Sequence, residues 1–286
     1  MTEPLVEKAF AKINLTLRVL GRRADGYHNL ESLVAFADLS DTLTLQPGDT
    51  TTLAIGGPYA GPIGPTADNL VLKAVAALRQ RFEMLTAGHF RLEKNLPVAA
   101  GIGGGSADAA AALRLLAIVN GIALDDERLT AAALAVGADV PVCLALRPRI
   151  MRGVGEELSP PVVLPPLPAV LVNPGVGLAT RDVFGKLVIS QTGKTNIGEV
   201  PQTLDAAIEF LSAHGNDLTQ PAIACVPVIA EVLDAMHAVP GVRLARMSGS
   251  GATCFALFST AGEAAAASWL LQEPNSDWWV RTTTLG

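Results

Sequence analysis

The segment between positions 101 and 105 holds four glycines and stands directly before Ser106 and an apolar run that predicts a helix to about Val119. Each glycine costs about 0.5–1 kcal/mol of ordering relative to alanine. A helix start has unpaired N–H groups and partial positive charge, and residues without β-carbons let anion oxygens reach those groups. A tight turn from strand to helix needs only one or two glycines. The pattern therefore favours a phosphate-binding loop over a turn alone.

The common phosphate-loop motifs do not fit this segment. The Walker pattern requires a lysine after its final glycine, but five places beyond Gly101 the chain has Ser106 and then Ala107. The Rossmann pattern requires a third glycine where Ser106 stands. The protein-kinase signatures His-Arg-Asp and Asp-Phe-Gly are absent from the sequence.

Composition limits the class of protein. Half of the 286 residues are hydrophobic, 17% are charged, and 27 glycines and 19 prolines interrupt the chain, which is typical of a compact enzyme-like globule. The net charge of −6 and the lack of a basic run predict no nucleic-acid or membrane-surface partner. The first ten residues contain Glu3, Glu7 and Lys8 instead of a secretory signal, so we expect a cytoplasmic protein. The cysteines Cys143, Cys225 and Cys254 predict small core residues rather than disulfides or zinc ligands.

The N-terminal half predicts strands followed by helices. Val6–Leu20 and Tyr27–Asp38 are strand-like around a turn at Gly21–Gly26. Further strands are expected at Thr42–Leu45 and Thr51–Ile55, separated by a turn at Gln46–Asp49. Asp68 is expected to cap a helix that ends near Phe82, and a strand follows at His89–Lys94. Beyond the glycine-rich helix, a second helix begins after Asp126 and ends at Gly137, and Cys143–Leu146 is expected to be a strand. The dense prolines between Pro160 and Pro168 indicate a domain junction.

The C-terminal half alternates strands and helices, which is typical of an α+β domain. Strands are expected at Ala169–Asn173, Val242–Met247, Cys254–Phe258 and Trp278–Thr283. Helices are expected at a short segment capped by Thr180, at Thr203–Ser212, Pro221–Ala238 and Gly262–Leu271.

Six motifs along the chain carry a resemblance to a known family. Pro97–Ala112 resembles the phosphate-binding motif of the superfamily of galactokinase, homoserine kinase, mevalonate kinase and phosphomevalonate kinase. Ala11–Leu15, Arg23–His28 and Gly137–Pro141 resemble further motifs of one branch, as do Gly153–Glu156 and Ser248–Thr253. The match runs through nearly the whole chain, and the ordered set is far more specific than any single motif.

The resemblance implies an ATP-dependent kinase that phosphorylates a hydroxyl of a cytidine-diphosphate-linked methylerythritol, giving the 2-phosphate and ADP in non-mevalonate isoprenoid biosynthesis. It implies an α+β, two-domain small-molecule kinase fold, with residues 1–160 as the N-terminal ATP-binding domain and 161–286 as a smaller C-terminal α/β-sandwich domain. The active site is expected in the cleft between the domains. Mg²⁺ is expected with the triphosphate, without a dedicated protein cage.

By the same resemblance, Asp139 faces the acceptor hydroxyl and Lys12 is the cation beside it. Without the resemblance, the residue types favour a turn carboxylate for Asp139 and a solvated strand residue for Lys12, because most charged residues are simply exposed. The nucleotide is expected to contact the loop and two residues toward the nucleoside: Pro97, Gly101, Gly103, Gly104, Gly105, Ser106, Asn69 and Lys94. Asn69 also fits a helix-start residue. The family usually has a second serine where this chain has Ala107, and Asp108 either assists a metal or favours the helix dipole.

The acceptor is expected to contact Asn14, Tyr27, His28, Val154, Thr180 and Phe184. In the family, an aromatic ring stacks on the cytosine, imidazole nitrogens meet its polar edge, and Phe184 matches a second aromatic across the cleft. The loop Ser248–Gly251 fits either a lid on the substrates or a hairpin turn.

Three alternatives remain open from the sequence. A homoserine- or mevalonate-type kinase shares the glycine loop but needs no base pocket. A decarboxylase of the mevalonate-diphosphate type would release carbon dioxide. A nucleotide-binding module without turnover would not need Lys12 and Asp139.

Overall fold

The computed structural model describes residues 3–61, 68–188 and 197–286. In chain order, the strands of these ranges are β1 Leu5–Asn14, β2 Arg18–Arg22, β3 His28–Gly48, β4 Thr52–Gly56, β5 Ala87–Glu93, β6 Arg149–Gly153, β7 Glu157–Leu158, β8 Leu167–Asn173, β9 Leu244–Met247, β10 Cys254–Leu257 and β11 Trp279–Leu285. The helices are α1 Leu70–Arg79, α2 Gly104–Asn120, α3 Glu127–Val136, α4 Val140–Ala145, α5 Thr180–Gly185, α6 Leu204–Ser212, α7 Thr219–Cys225, α8 Val228–Ala238 and α9 Ala261–Gln272.

The chain divides into two compact units, each built from several stretches of sequence. The first unit contains Met1–Ala11, Leu39–Val98 and Gly103–Leu146. The second contains Lys12–Asp38, Ala99–Ile102 and Arg147–Gly286. The predicted division at residue 160 stays a prediction, and the glycine-rich segment contributes residues to both units.

The first unit combines a small sheet with four helices. The second half of β3 pairs antiparallel with β5, and β5 pairs parallel with β4. Helix α2 packs against α1, α3 and α4 and is buried from Ala107 to Ala117. Its apolar character on nearly all sides agrees with this central position.

The second unit is an α+β assembly. The first half of β3 pairs with β2 and β6, and β11, β8, β10 and β9 form an antiparallel set in that order. Helix α9 packs on β8 and β11, while α8 packs on β9 and β10. Val170, Met236, Cys254 and Phe258 lie in the shared core.

Most predicted elements are found, with five differences. The single strand-like segment expected at Val6–Leu20 is two strands, β1 and β2. The two strands expected at Tyr27–Asp38 and Thr42–Leu45 are one continuous strand, β3, in which Gln46–Gly48 pair with β5 instead of forming a turn. The strand predicted at Cys143–Leu146 is wrong: these residues fall in or just after α4, since a short apolar run after Pro141 fits a buried helix equally well. The helix predicted at Pro221–Ala238 is two helices, because Pro227 interrupts the hydrogen-bond ladder. Strands β6 and β7 were not predicted.

The three cysteines are predicted to be small residues of the core. Cys143 and Cys254 are buried, Cys225 is partly buried, and none of these three described residues forms a disulfide. Among the helices of the described ranges, none has the length and apolar character required to cross a bilayer.

Candidate functional site

The loop residue Gly101 lies in the second unit, against the turn between β9 and β10. Its φ is +75°, and a β-carbon there would lie 2.5 Å from the carbonyl oxygen of Gly251 and 2.8 Å from that of Ser248. The Ser248 hydroxyl also donates to the carbonyl oxygen of Gly101 at 3.1 Å. Two main chains thus meet without room for a side chain, so intrachain packing alone requires glycine at position 101. The segment Ser248–Gly251 is a turn between antiparallel strands, as one of the two interpretations predicted.

The later glycines lie in the first unit, where α2 begins. Gly103 is the N-cap with a φ of +63°, and the first intrahelical bond is donated by the Ala107 N–H to its carbonyl at 2.8 Å. A β-carbon on Gly104 would lie 3.6 Å from its nearest neighbour, and one on Gly105 would lie 3.4 Å away. These are ordinary contacts, so packing within the described chain does not demand glycine at either position. Glycine instead leaves the N–H groups of the first turn open to an anion.

A buried ionic triad lies beneath this helix start. The Lys94 ammonium donates to Asp41 and, at 2.7 Å, to Asp108 on the second turn of α2. The other Asp41 oxygen accepts the main-chain N–H groups of Asn95 and, at 2.9 Å, Leu96. The three charged side chains are at most 4% exposed. The triad therefore links the segment before the loop to the helix after it.

The triad carries two carboxylates and one ammonium, and its titration reflects that imbalance. Burial raises the pKa of Asp108 to about 7; the Lys94 charge opposes this shift and the nearby Asp41 charge adds to it. Burial disfavours the Lys94 cation, but attraction to Asp108 and Asp41 outweighs burial, so the pKa of Lys94 lies above its ordinary value. Asp108 Oδ1 is buried without a hydrogen-bond partner among the described residues, which adds to the cost of its charged form.

Asn69 and Pro97 are the remaining residues predicted on the nucleotide side. Asn69, and not Asp68 as predicted, is the N-cap of α1, where its side-chain oxygen accepts the Val71 N–H at 2.9 Å. This capping bond uses the oxygen and leaves the amide donors for other partners. Pro97 is buried and directly follows Leu96, the residue held by Asp41. Lys94 lies in the triad, so its predicted nucleoside contact would have to share the ammonium or use the main chain.

Lys12 and Asn14 are brought together on β1 in the second unit. The Lys12 ammonium donates to Asn14 Oδ1 at 2.7 Å, and both side chains are buried at 3% and 4% exposure. Main-chain bonds hold this pair in place: the Lys12 N–H donates to the Ile102 carbonyl at 2.9 Å, and the Asn14 N–H donates to Ser248 Oγ at 3.1 Å. A buried ammonium with a fixed partner is more precisely placed than the solvated strand lysine of the alternative interpretation.

Asp139 occupies the N-cap position of α4 in the first unit. Its backbone is in the right-handed helical region and its side chain makes no capping bond to α4. The residue is half-buried. The carboxylate is therefore not used to terminate this helix, unlike that of Asp126, which caps α3 by accepting from the Arg128 N–H.

The aromatic residues predicted for the acceptor lie in the second unit. His28 and Phe184 stack directly, with ring centroids 4.8 Å apart and an interplanar angle of 21°. The resemblance puts Phe184 across a cleft between domains, but His28 and Phe184 belong to the same unit. Burial, with a smaller contribution from the Arg22 charge, lowers the pKa of His28, so its imidazole is neutral at pH 7 and can both donate and accept. Tyr27 is 65% exposed, which leaves most of its ring accessible.

Val154 and Thr180 have polar contacts with neighbouring loops of the second unit. The Val154 N–H donates to one carboxylate oxygen of Glu156. The other carboxylate oxygen of Glu156 lies 3.3 Å from Arg23 Nη1. The Thr180 hydroxyl lies 2.9 Å from Ser250 Oγ. Thr180 is the first residue of α5 rather than its cap, which is Ala179.

Two buried residues of the site region were not predicted. Asp41 lies on β3, where positions 41, 43 and 45 alternate on one buried face. This period of two could have revealed a carboxylate inside the protein, but dividing β3 between Asp38 and Thr42 hid it. Ser32, also on β3, is 2% exposed and accepts from Asn14 Nδ2 at 2.7 Å. A lone serine in an apolar strand gives no sequence signal of such a contact.

Two parts of this chain match models of one protein family. Residues 69–145 match the model of the GHMP kinases N terminal domain, and residues 200–270 match that of the GHMP kinases C terminal. The 4-diphosphocytidyl-2-C-methyl-D-erythritol kinase of Rhodopseudomonas palustris strain BisB5 is 53% identical over 98% of this chain and 99% of its own. The chain belongs to the GHMP kinases. The kinase of the same name from a strain of Methylorubrum extorquens is 54% identical, with 98% of this chain and 99% of its own covered.

Solved structures of GHMP kinases have the same fold. A 4-(cytidine 5'-diphospho)-2C-methyl-D-erythritol kinase superposes with a TM-score of 0.79 at 35% identity, covering 99% of both chains. A homoserine kinase from Cytophaga hutchinsonii superposes with a TM-score of 0.75 at 17% identity, covering 100% of this chain and 96% of its own. The predicted α+β kinase fold with two family domains is confirmed.

Substitution of two loop glycines should separate packing from anion binding. Gly101→Ala should destabilise the protein by a few kcal/mol, because a methyl group meets main-chain atoms and the backbone is left-handed. Gly105→Ala should leave the melting temperature nearly unchanged while raising the KM for ATP about tenfold, equivalent to about 1.4 kcal/mol of lost binding. Thermal melts and ATP-dependent kinetics of both variants measure this. Equal melting temperatures for the two variants would contradict the assignment.

The Asp108 carboxyl should make folding stability depend on pH. Its folded pKa of about 7 lies above the ordinary 3.8, so the folded state binds more protons between these values and stability falls as pH rises through that window. Asp108→Asn removes this titration. Wild-type stability relative to Asp108→Asn should fall by a few kcal/mol from about pH 4 to about pH 7 and then stay level. Urea unfolding of both proteins across this range checks the result, and parallel stability curves would exclude it.

Proposed function

We propose that this GHMP kinase transfers the γ-phosphoryl group of ATP to a hydroxyl of 4-diphosphocytidyl-2-C-methyl-D-erythritol, giving the 2-phosphate and ADP. The observation that carries this conclusion is the relationship to enzymes of that name at 53–54% identity over nearly the whole chain. The activity belongs to non-mevalonate isoprenoid precursor synthesis.

The helix start supports binding of the triphosphate. Phosphoryl transfer depends on positioning and on stabilising charge more than on covalent participation by the protein. The open N–H groups at Gly104 and Gly105, together with the positive end of α2, suit phosphate oxygens. Ser106, in the same turn, adds a hydroxyl, and Asn69 and Lys94 remain predicted contacts of the nucleoside.

Lys12 and Asp139 are proposed to act at the acceptor hydroxyl. A carboxylate can orient the hydroxyl and accept its proton, while a nearby ammonium stabilises the developing negative charge. The burial of Lys12 and its bond to Asn14 support a fixed role for this cation. The absence of a capping bond at Asp139 supports a carboxylate retained for something other than helix termination.

The His28–Phe184 pair supports recognition of a flat heterocycle. A neutral imidazole can meet the donor and acceptor groups on the polar edge of a cytosine. A base placed between two rings needs about 7 Å between them, twice an optimal carbon–carbon contact, whereas these centroids are 4.8 Å apart. Binding between the rings would therefore require them to separate. Tyr27, Asn14, Val154 and Thr180 remain proposed contacts of the acceptor.

Magnesium is proposed to enter with ATP. Such an ion would neutralise phosphate charge, and it usually takes most of its ligands from phosphates and water. The described residues contain no group of three or more His, Cys, Asp or Glu side chains that could hold a metal. The Ser106 hydroxyl, in the first turn of α2, is a side-chain oxygen that would suit an ion bound mainly by the nucleotide. Ala107 contributes no second hydroxyl. The cytoplasmic location and the lack of a nucleic-acid partner stay predictions.

A panel of acceptors tests the reaction. ADP release is measured with the cytidine-diphosphate-linked methylerythritol, homoserine, mevalonate and mevalonate diphosphate, each with ATP and Mg²⁺. We expect turnover with the first alcohol and formation of its 2-phosphate. Preferred turnover of homoserine or mevalonate, carbon dioxide release from mevalonate diphosphate, or ATP binding without turnover would each overturn the proposal.

The assigned role of Asp139 predicts a specific kinetic defect. Asp139→Ala should keep ATP affinity and lose roughly 10²-fold or more in kcat, as loss of a general base does. Asp126→Ala is a matched control, because Asp126 is also an aspartate at a helix start; it should lower stability without lowering kcat. A loss of less than about tenfold in Asp139→Ala would remove this residue from the reaction.

The base pocket predicts an effect on one substrate only. His28→Ala should raise the KM for the acceptor several-fold and leave the KM for ATP nearly unchanged, because it removes a polar edge contact and a stacking face. His214→Ala is the control, since His214 also contacts a phenylalanine, Phe210, at a centroid distance of 4.3 Å. Similar changes in both KM values of His28→Ala would place His28 outside the acceptor pocket.

A further inference from the structure

Three polar side chains and the main-chain carbonyl of Thr16 form a buried hydrogen-bonded chain in the second unit. Lys12, Asn14, Thr16 and Ser32 are all at most 4% exposed, and their neighbours Ile13, Leu15 and Leu33 are fully buried. Buried polar groups that lack partners are costly, so each donor in such a chain must face an acceptor. The donor and the acceptor of each hydrogen bond can therefore be assigned by counting the hydrogens and lone pairs that each group offers.

The main-chain carbonyl of Thr16 is one end of this hydrogen-bonded chain. The Thr16 carbonyl can only accept, and Ser32 Oγ donates to it at 2.5 Å. This bond uses the single hydrogen of the Ser32 hydroxyl. Ser32 Oγ is then restricted to accepting from Asn14, whose Nδ2 lies 2.7 Å away. The NH₂ end of the Asn14 amide must therefore face Ser32.

The other end of the same amide faces the lysine. An ammonium has three donors and no acceptor, so the Asn14 atom 2.7 Å from Lys12 Nζ must be the carbonyl oxygen. The requirements at the two ends agree, which fixes an amide orientation that side-chain shape alone would leave open. Through Ser32 and Asn14, the Thr16 carbonyl sets the direction of one Lys12 N–H bond, and tetrahedral geometry then sets the other two.

We propose that Ser32 is a positioning residue for the phosphoryl-transfer step: its hydroxyl locks the amide of Asn14 so that the amide oxygen aims the Lys12 ammonium. This proposal rests on the proposed function of Lys12. Ser32 acts through Asn14 and touches neither the reacting atoms nor the nucleotide in this role. Loss of the hydroxyl leaves a buried NH₂ group without its acceptor, so this end of the amide is no longer held and the amide plane can tilt, which moves the oxygen that accepts from Lys12.

The first test compares variants of Ser32 itself. Ser32→Ala should lower kcat about tenfold with the KM for ATP unchanged, since misplacement of a catalytic group by about 1 Å can cost up to 10²-fold. Ser32→Thr and Ser32→Val form a matched pair, because they have nearly the same shape and only threonine keeps the hydroxyl. We expect Ser32→Thr to retain at least several-fold more kcat than Ser32→Val. Equal kcat values for this pair would overturn the proposal, even if Ser32→Ala fails to fold.

The second test uses the symmetry of a carboxylate. In Asn14→Asp, either oxygen can accept from Lys12, so orientation no longer depends on Ser32. Ser32→Ala should then lower kcat less than twofold when it is added to the Asn14→Asp variant, compared with about tenfold when it is added to the wild type. Equal effects in both backgrounds would show that Ser32 acts only on stability.

Controls separate this inference from the proposed function. Thr16→Val removes a buried hydroxyl that accepts the Leu33 N–H at 3.0 Å, but it keeps the Thr16 carbonyl, so it should lower the melting temperature without the kcat loss of Ser32→Ala. If the wild-type enzyme does not phosphorylate the cytidine-diphosphate-linked alcohol, the proposed function fails. If the wild type is active and Ser32→Ala keeps kcat within twofold, only the role of Ser32 fails.

Discussion

The glycine loop depends on one electrostatic constraint, which is the burial of a lysine ammonium between two carboxylates. Lys94 and Asp41 hold the chain just before the loop, and Asp108 holds the helix just after it. Breaking such a buried contact on one side would leave an uncompensated charge in the interior, so the three groups stabilise one another only as a set. The loop between them can then lack side chains without losing its ends. Rigid attachment at both ends offsets the conformational freedom that four glycines introduce.

In the second unit, a directional hydrogen bond to an amide orients the lysine that is proposed to act in the reaction. Lys12 is aimed by a neutral amide, and its position is tied through main-chain bonds to the Ile102 carbonyl and to Ser248. A fixed direction for the ammonium suits a cation whose proposed work is to stabilise negative charge on a reacting oxygen.

The sequence predicted elements best where local physics decides them. The start of α2, the Asp126 cap of α3 and the strand at β8 follow from glycine chemistry, capping and apolar runs, which act over a few residues. The continuity of β3 was not predictable, because Gln46, Pro47 and Gly48 are usual turn residues and only the pairing with β5 keeps them extended. The helix at Cys143 was missed for a similar reason: burial in the first unit, and not its short apolar sequence, decides its conformation.

For the candidate site as well, some features follow from sequence motifs and others from tertiary contacts. Family motifs indicated which residues could contact the substrates, and the pattern at the glycines indicated an anion site. The capping use of Asn69, the charge partners of Lys94 and the contact between His28 and Phe184 are tertiary details that the motifs do not specify. Lys94 and Asp41, like His28 and Phe184, are far apart in sequence, so no local pattern contains those pairings. The orientation of the Asn14 amide is harder still to predict, because it depends on the Thr16 carbonyl and the Ser32 hydroxyl, and neither group belongs to a sequence motif.

The close approach of Gly101 to the turn between β9 and β10 also constrains how this protein can change in length. Since the two backbones meet atom against atom, a residue inserted in or deleted from either segment would displace its neighbour by several ångströms. Point substitutions elsewhere on the surface can accumulate independently, but insertions here would have to arise in both segments together. The lengths of these two segments are therefore expected to change only together.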